Sequence, residues 1–225
     1  MSRHDNRFPN ESDGYRSARD ELLDLEITLR DQLERVAAAR RALPLGGAVR
    51  ENYTFHRPGA NGEAAPVKLS ELFTPTSDSL LLYSFMYGPE MEHACPMCTS
   101  MLDGLNGLTP HILDRVNLAV VAKSPIERIT AHAANRGWER LPLVSSAGTT
   151  YNHDYHGEDA GGAQIPAMNV FVKRDGEIRH FWNSELLYAD VPGHPRHVDL
   201  IWPIWNLFDL TPEGRGESWF PKLAY

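Results

Sequence analysis

The sequence predicts an α/β protein: a mixed sheet flanked by helices, with an N-terminal helical extension. Three observations carry this. Short apolar runs of strand length alternate with helical segments between residues 80 and 145, which implies parallel strands joined by helical crossovers. Two further strand-like stretches, 167–173 and 177–183, flank Asp175-Gly176, the dipeptide of a tight hairpin. Ahead of both, Leu22, Leu25, Leu29, Leu33 and Val36 recur at spacings of three and four and so share one helix face.

Bulk properties narrow the classes of function. The chain has 225 residues, 42% of them hydrophobic, which suits one domain with appended structure. Its 22 basic and 30 acidic residues give a formal net charge of -8. A general nucleic-acid binder needs a basic face to displace counterions from phosphate, so no nucleic-acid partner is expected. No run of about 18 apolar residues is present, and no membrane association is expected. Met1-Ser2-Arg3-His4-Asp5-Asn6-Arg7 has no apolar stretch behind it and does not read as a signal peptide, so the expected compartment is the cytoplasm. Two cysteines are too few for a disulfide scaffold. In a reducing compartment a close pair reads as catalytic or metal-binding.

The elements follow in order. Residues 1–14 are polar and read as a mobile tail. A helix is expected from about Ser17, with Ser17 and Asp20 as its start signal, to about Ala42, where Pro44 and Gly46-Gly47 stop it. Its leucine stripe packs either on its own domain or, as a homodimer contact, on a second copy. Residues 51–70 read as two short strands around a turn at Gly59–Gly62. Leu80–Tyr87 is nearly continuous in apolar residues, as a strand buried on both faces would be. A helix over 96–106 follows, then a separate helical turn at 110–114. Val116–Ala122 is the next strand. Ser124 as cap, Pro125 at the first helical position and Glu127 in the first turn open another helix, which ends near Gly137. Leu141–Ser145 is a third strand, a polar loop of about 20 residues leads to the hairpin, and His197–Phe208 is a final helix that Pro203 kinks or divides. The expected division is residues 1–50, tail and amphipathic helix, and residues 51–225, the sheet domain with a C-terminal extension.

Cys95-Pro96-Met97-Cys98 falls where the first core strand gives way to a helix. A helix N-terminus carries unpaired N–H groups and a partial positive charge, so a thiolate there is stabilised and its pKa falls below the free value of about 8.5. Pro96 fits the first turn without losing a hydrogen bond. Cys95 is then the attacking thiolate and Cys98, one turn along, the resolving thiol. His93 is a candidate to lower the Cys95 pKa, and Glu90 and Glu92 are candidate proton acceptors for Cys98.

Some 70 residues on, Ile165-Pro166 immediately precedes the hairpin strand Ala167–Val172. The thioredoxin superfamily has a cis-proline at this place, facing its dithiol, and the stretch from Ile165-Pro166 to Glu177-Ile178 resembles that region. Further landmarks extend the likeness: Phe85-Met86-Tyr87-Gly88-Pro89, the dithiol itself, Val121–Pro125, Gly137-Trp138, Val144-Ser145-Ser146, Tyr151–His156 and Leu210–Arg215. Over roughly residues 15–220 the chain resembles an uncharacterised bacterial thioredoxin-like family, domain-of-unknown-function family 899. The resemblance implies the thioredoxin-like fold and dithiol–disulfide chemistry, with no assigned substrate and no cofactor. Pro166 draws on the wider superfamily rather than on that family.

The expected function is that of a thiol–disulfide oxidoreductase acting on a protein or small-molecule disulfide. Pro166, Ile165, Pro96, Met97 and His93 are its substrate-binding candidates, joined by His153 and His156 if the Tyr151–His156 loop borders the dithiol. A peroxidase variant has little support, because Met91-Glu92-His93-Ala94 stands where a peroxiredoxin would place a Pro and a Thr. Two alternatives stay open. One is a ligand- or partner-binding protein without turnover, using the 151–156 loop and the aromatic C-terminal region of Trp182, Trp202, Trp205 and Phe208. The other is zinc held by Cys95, Cys98, His153 and His156, although two residues between the histidines is short for such a site.

Overall fold

The N-terminal helix begins earlier than its leucine stripe indicates. In the computed structural model, which describes residues 3–75, 77–189, 201–214, 216 and 218–225, α1 runs over Asp13–Arg41. Its cap is Ser12, not Ser17: the Ser12 hydroxyl accepts from the Tyr15 N–H at 3.2 Å, and Asp13 in the first turn complements the positive helix end. Arg40 and Arg41 occupy the last turn, where cations are favoured. Of the stripe, Leu25 is 67% and Leu29 60% exposed. This helix lies in a first unit, Met1–Pro44; the rest of the chain, Leu45–Tyr225, forms a second.

The second unit is built on one sheet. Its strands are β1 (Thr54–Pro58), β2 (Ala64–Lys68), β3 (Ser79–Ser84), β4 (Asn117–Ala122), β5 (Leu143–Ser145), β6 (Ala167–Arg174) and β7 (Glu177–Asn183), arranged β2-β1-β5-β4-β3-β6-β7. The central strands β3, β4 and β5 are parallel. The β6–β7 hairpin lies antiparallel on the far side of β3, in register from Ser79↔Val172 to Ser84↔Ala167. On the other side β1 closes antiparallel on β5 through His56↔Ser145 and pairs with β2.

Two crossover helices, α2 (Pro96–Leu113) and α3 (Ile126–Arg136), join the parallel strands. A strand, a helix opened by a C-x-x-C, a parallel strand and an antiparallel hairpin, in the spatial order β4-β3-β6-β7, make the thioredoxin-like fold.

The period of two along β3 and β4 divides the core. Tyr83, Leu118, Val120 and Ala122 enter one cluster together with Cys98, Met101 and Leu102 of α2 and Ile126, Ile129 and Ala133 of α3. Leu80, Leu82, Ala119 and Val121 enter the other, with Tyr53, Phe55, Tyr151 and Phe171. Both faces are apolar, which is why these strands read as unbroken apolar runs.

Four details depart from the sequence reading. Helix α2 runs on through Pro110 instead of breaking before it; its end is closed by the Asp114 N–H donating to Pro110 O at 3.2 Å. Ser124 does not cap α3. It is buried and donates to the carbonyl of Gly88, leaving Pro125 at the cap. A short helix, α4 (Tyr151–Asp154), interrupts the polar loop. The last helix, α5, covers only Ile204–Phe208, with Pro203 at its start; positions 197–200 of the expected helix lie outside the described residues. No helix among the described residues is long and apolar enough to cross a membrane.

Candidate active site

The site is assembled at the end of β3. Beyond Ser84 the chain leaves the β6 ladder but stays tied to β4 through the Phe85 N–H and Val121 O, 2.8 Å apart. It then turns at Gly88 and returns, so that the Cys95 N–H donates to Met86 O at 3.0 Å. The Gln164 side chain packs closely on this turn: a Cβ on Gly88 would sit 2.8 Å from its Cγ. Gln164 in turn donates to Glu158, the buried partner of Lys123.

Arg128 of α3 binds the whole 88–92 loop. Its guanidinium donates to the carbonyls of Gly88, Pro89, Met91 and Glu92 and lies 4.6 Å from the centroid of the Tyr87 ring. This positioning role has no sequence signal, because the partners are backbone carbonyls that any loop possesses.

Cys95 is the N-cap of α2 and Pro96 its first residue. The backbone N–H of Cys98 reaches Cys95 Sγ at 3.5 Å. Both cysteines are free thiols; Cys95 is half-buried and Cys98 only 4% exposed. Their environments drive them apart. The Cys98 thiol, then the backbone N–H groups of Cys98 and Met97, stabilise charge on Cys95 and outweigh its burial, lowering its pKa from 9.0 to about 6. The thiol of Cys98 is pushed up, first by its hydrogen bond to Cys95 and then by burial, although the Tyr83 hydroxyl and the Met86 backbone favour its thiolate. The pair thus holds one anion and one proton, with the proton on the buried sulfur.

Both sulfurs line a cavity of about 210 Å³, with Tyr83, Met86, Met97 and Met101 around them. Pro166, Leu187 and Trp202 complete its wall. Pro166 therefore shares this cavity with the dithiol, but its peptide bond is trans, and the expected cis peptide is not formed. The physical reason lies in the preceding loop. The Ile165 N–H donates to Gly157 O at 2.9 Å, so the chain has already turned when it meets the proline. Pro166 then precedes the first ladder pair, Ala167↔Ser84, where no donor is required. Ile165 is half-buried and does not line the cavity.

The histidines and acids lie elsewhere. The His93 side chain is 72% exposed and pairs with Glu92, and Glu90 is exposed too, so none of the three reaches the sulfurs. His153 is exposed beside Asp154. His156 belongs to a separate polar cavity of about 320 Å³, with Asn169, His180, Glu185 and Tyr188. There the Asn169 side chain meets His180 Nε2 at 3.1 Å and Asn183 Nδ2 at 2.7 Å, and burial lowers the pKa of His180. The zinc set of Cys95, Cys98, His153 and His156 is not assembled. Among the described residues no group of three or more His, Cys, Asp or Glu side chains is placed to hold a metal.

A protein-family model described as "Bacterial protein of unknown function (DUF899)" matches residues 5–225. Among curated protein sequences none matches the chain. Among solved structures the chain is similar to the peroxidoxin BcpB from Mycobacterium tuberculosis, with 18% identity over 72% of this chain and 95% of that one, at a TM-score of 0.45. It is similar to a mutant of peroxiredoxin Q from Xanthomonas campestris, with 15% identity over 72% and 96% of the two chains, at a TM-score of 0.46. It is also similar to the exposed lipoprotein thioredoxin Etrx1 from Streptococcus pneumoniae, with 11% identity over 66% and 97%, at a TM-score of 0.41.

Proposed function

The chain belongs to the DUF899 family of bacterial proteins, and we propose that it is a thiol–disulfide oxidoreductase with Cys95 as nucleophile and Cys98 as resolving thiol. One observation carries the reading: Cys95 caps the N-terminus of α2 and is partly accessible while Cys98 is buried behind it, a placement that favours the thiolate on the first and the thiol on the second.

The chemistry follows from that inequality. The Cys95 thiolate attacks one sulfur of a substrate disulfide, forms a Cys95–substrate S–S bond and displaces the other sulfur as a thiolate. The negative charge on Cys95 is now gone, and with it the largest cause of the raised Cys98 pKa. Cys98 gives up its proton to the departing thiolate and attacks Cys95 Sγ. The Cys95–Cys98 disulfide forms and the second substrate sulfur leaves. The dithiol loses two electrons and the substrate gains them. An external dithiol returns the protein to its reduced form.

Equilibration of the purified protein with dithiol buffers tests the proposal, alongside a disulfide-reductase assay. A two-electron titration of the pair is expected. Cys95→Ser abolishes both titration and turnover, whereas Cys98→Ser keeps the first step and accumulates a Cys95–substrate mixed disulfide. Unchanged reductase activity in Cys95→Ser overturns the reading. Ligand binding without turnover is the second reading, favoured only by the polar cavity around His156 and His180.

A further inference from the structure

We infer that the cavity beside the dithiol is a substrate pocket for a small, uncharged organic disulfide, an inference that rests on the redox reading of Cys95 and Cys98. Its first support is position. Cys95 and Cys98 both form part of the wall, so a disulfide seated in the cavity lies against the attacking sulfur.

The second support is the chemistry of the wall. Among the described residues no Asp, Glu, Lys, Arg or His side chain lines it. An ionic substrate would lose its hydration there without gaining a partner. Met86, Met97 and Met101 supply three thioethers, which are polarizable, adapt their shape and make favourable contacts with sulfur and aromatic groups.

Size sets the third condition. The cavity holds about 210 Å³, and an apolar cavity of about 150 Å³ is enough for benzene. One aromatic ring or a short aliphatic arm with its sulfur fits; a folded protein loop does not. An extended peptide fares no better as an added strand. The Ile165 N–H is already bonded to Gly157 O and Pro166 has none, so the chain beside the cavity offers no free donor there.

The reaction is the one already balanced: one disulfide enters, two thiols leave, and Cys95 and Cys98 become joined. A single turnover of pre-reduced full-length protein needs no external reductant and is the test. Reduced protein is mixed with the neutral reagents dithiodipyridine and diphenyl disulfide and with the charged dithiobisnitrobenzoate and glutathione disulfide. Each rate is divided by that of a free small thiolate with the same reagent. The expected result is saturation and at least a roughly tenfold preference for dithiodipyridine over both charged reagents. Leu187→Trp, which fills the cavity from its half-buried rim, abolishes saturation.

Equal normalised rates for neutral and charged reagents overturn the inference while leaving the redox reading intact. So does unaltered saturation in Leu187→Trp. If no disulfide oxidises the pair, or Cys95→Ser reacts like the parent, the redox reading itself fails and takes the pocket with it.

Discussion

Cys95 and Cys98 are three residues apart and chemically unlike. The difference is checkable as a pH profile. With its pKa lowered from 9.0 to about 6, Cys95 is mainly thiol below that pH and mainly thiolate above it. Alkylation by iodoacetamide therefore rises as pH climbs through about 6 and is flat near neutrality, whereas an unperturbed cysteine is still rising near 8.5. In Cys98→Ala the largest cause of the lowering is gone and the midpoint moves back up. A midpoint that stays in place would assign the shift to the backbone N–H groups alone. Much of this was legible in sequence, since the dithiol and Pro96 lie within four residues and helix-end physics supplies the rest. Arg128, Tyr83 and Met101 were not. Each reaches the site from another element, through carbonyls, a buried hydroxyl or an apolar contact that leaves no spacing pattern. His93, His153 and His156 show the converse: nearness along the chain, or a dense polar motif, does not by itself bring a side chain to the sulfurs.

Among elements, α2 is held at its dithiol end by the Cys95–Met86 bond and along its length by α3. Asp103 is one of the polar ties, beside Thr99 with His132 and Asn106 with Gly137. It pairs with Arg136 and accepts from Trp138 Nε1 at 2.8 Å. The ion pair is partly exposed and contributes little, but Trp138 is buried. Asp103→Ala strands that indole N–H and is expected to lower stability by about 1–3 kcal/mol, seen as a lower urea midpoint with an unchanged slope. The elements best read from sequence were those with one clear physical signature: the two-faced apolar strands β3 and β4, and the Asp175-Gly176 hairpin. The errors arose where one residue had two uses. Ser124 has the composition of a cap and is instead consumed by Gly88, and the helical turn expected to stand apart at 110–114 is continuous with α2, whose end closes on Pro110 O.

At the scale of the whole chain, the βαβ and hairpin order foretold a mixed sheet, but not where its edges would go. The placement of β1 against β5 depends on the single pairing His56↔Ser145, between residues 89 positions apart, and no local pattern records such a meeting. The consequence of the unequal thiols also belongs to this scale, because what the surroundings exchange with the molecule is electrons and protons in fixed ratio. Above about pH 6 the reduced pair carries one proton and the disulfide none. Two electrons then enter with a single proton. The midpoint potential should fall by about 30 mV per pH unit near neutrality, half the roughly 59 mV of a dithiol whose sulfurs are both protonated, and steepen below about pH 6. Potentials measured against dithiol buffers across that range would record the break, and a uniform steep slope would mean that both sulfurs take up protons together. From neutrality down to about pH 6, a molecule with such a poise keeps its reducing power more constant than an ordinary dithiol.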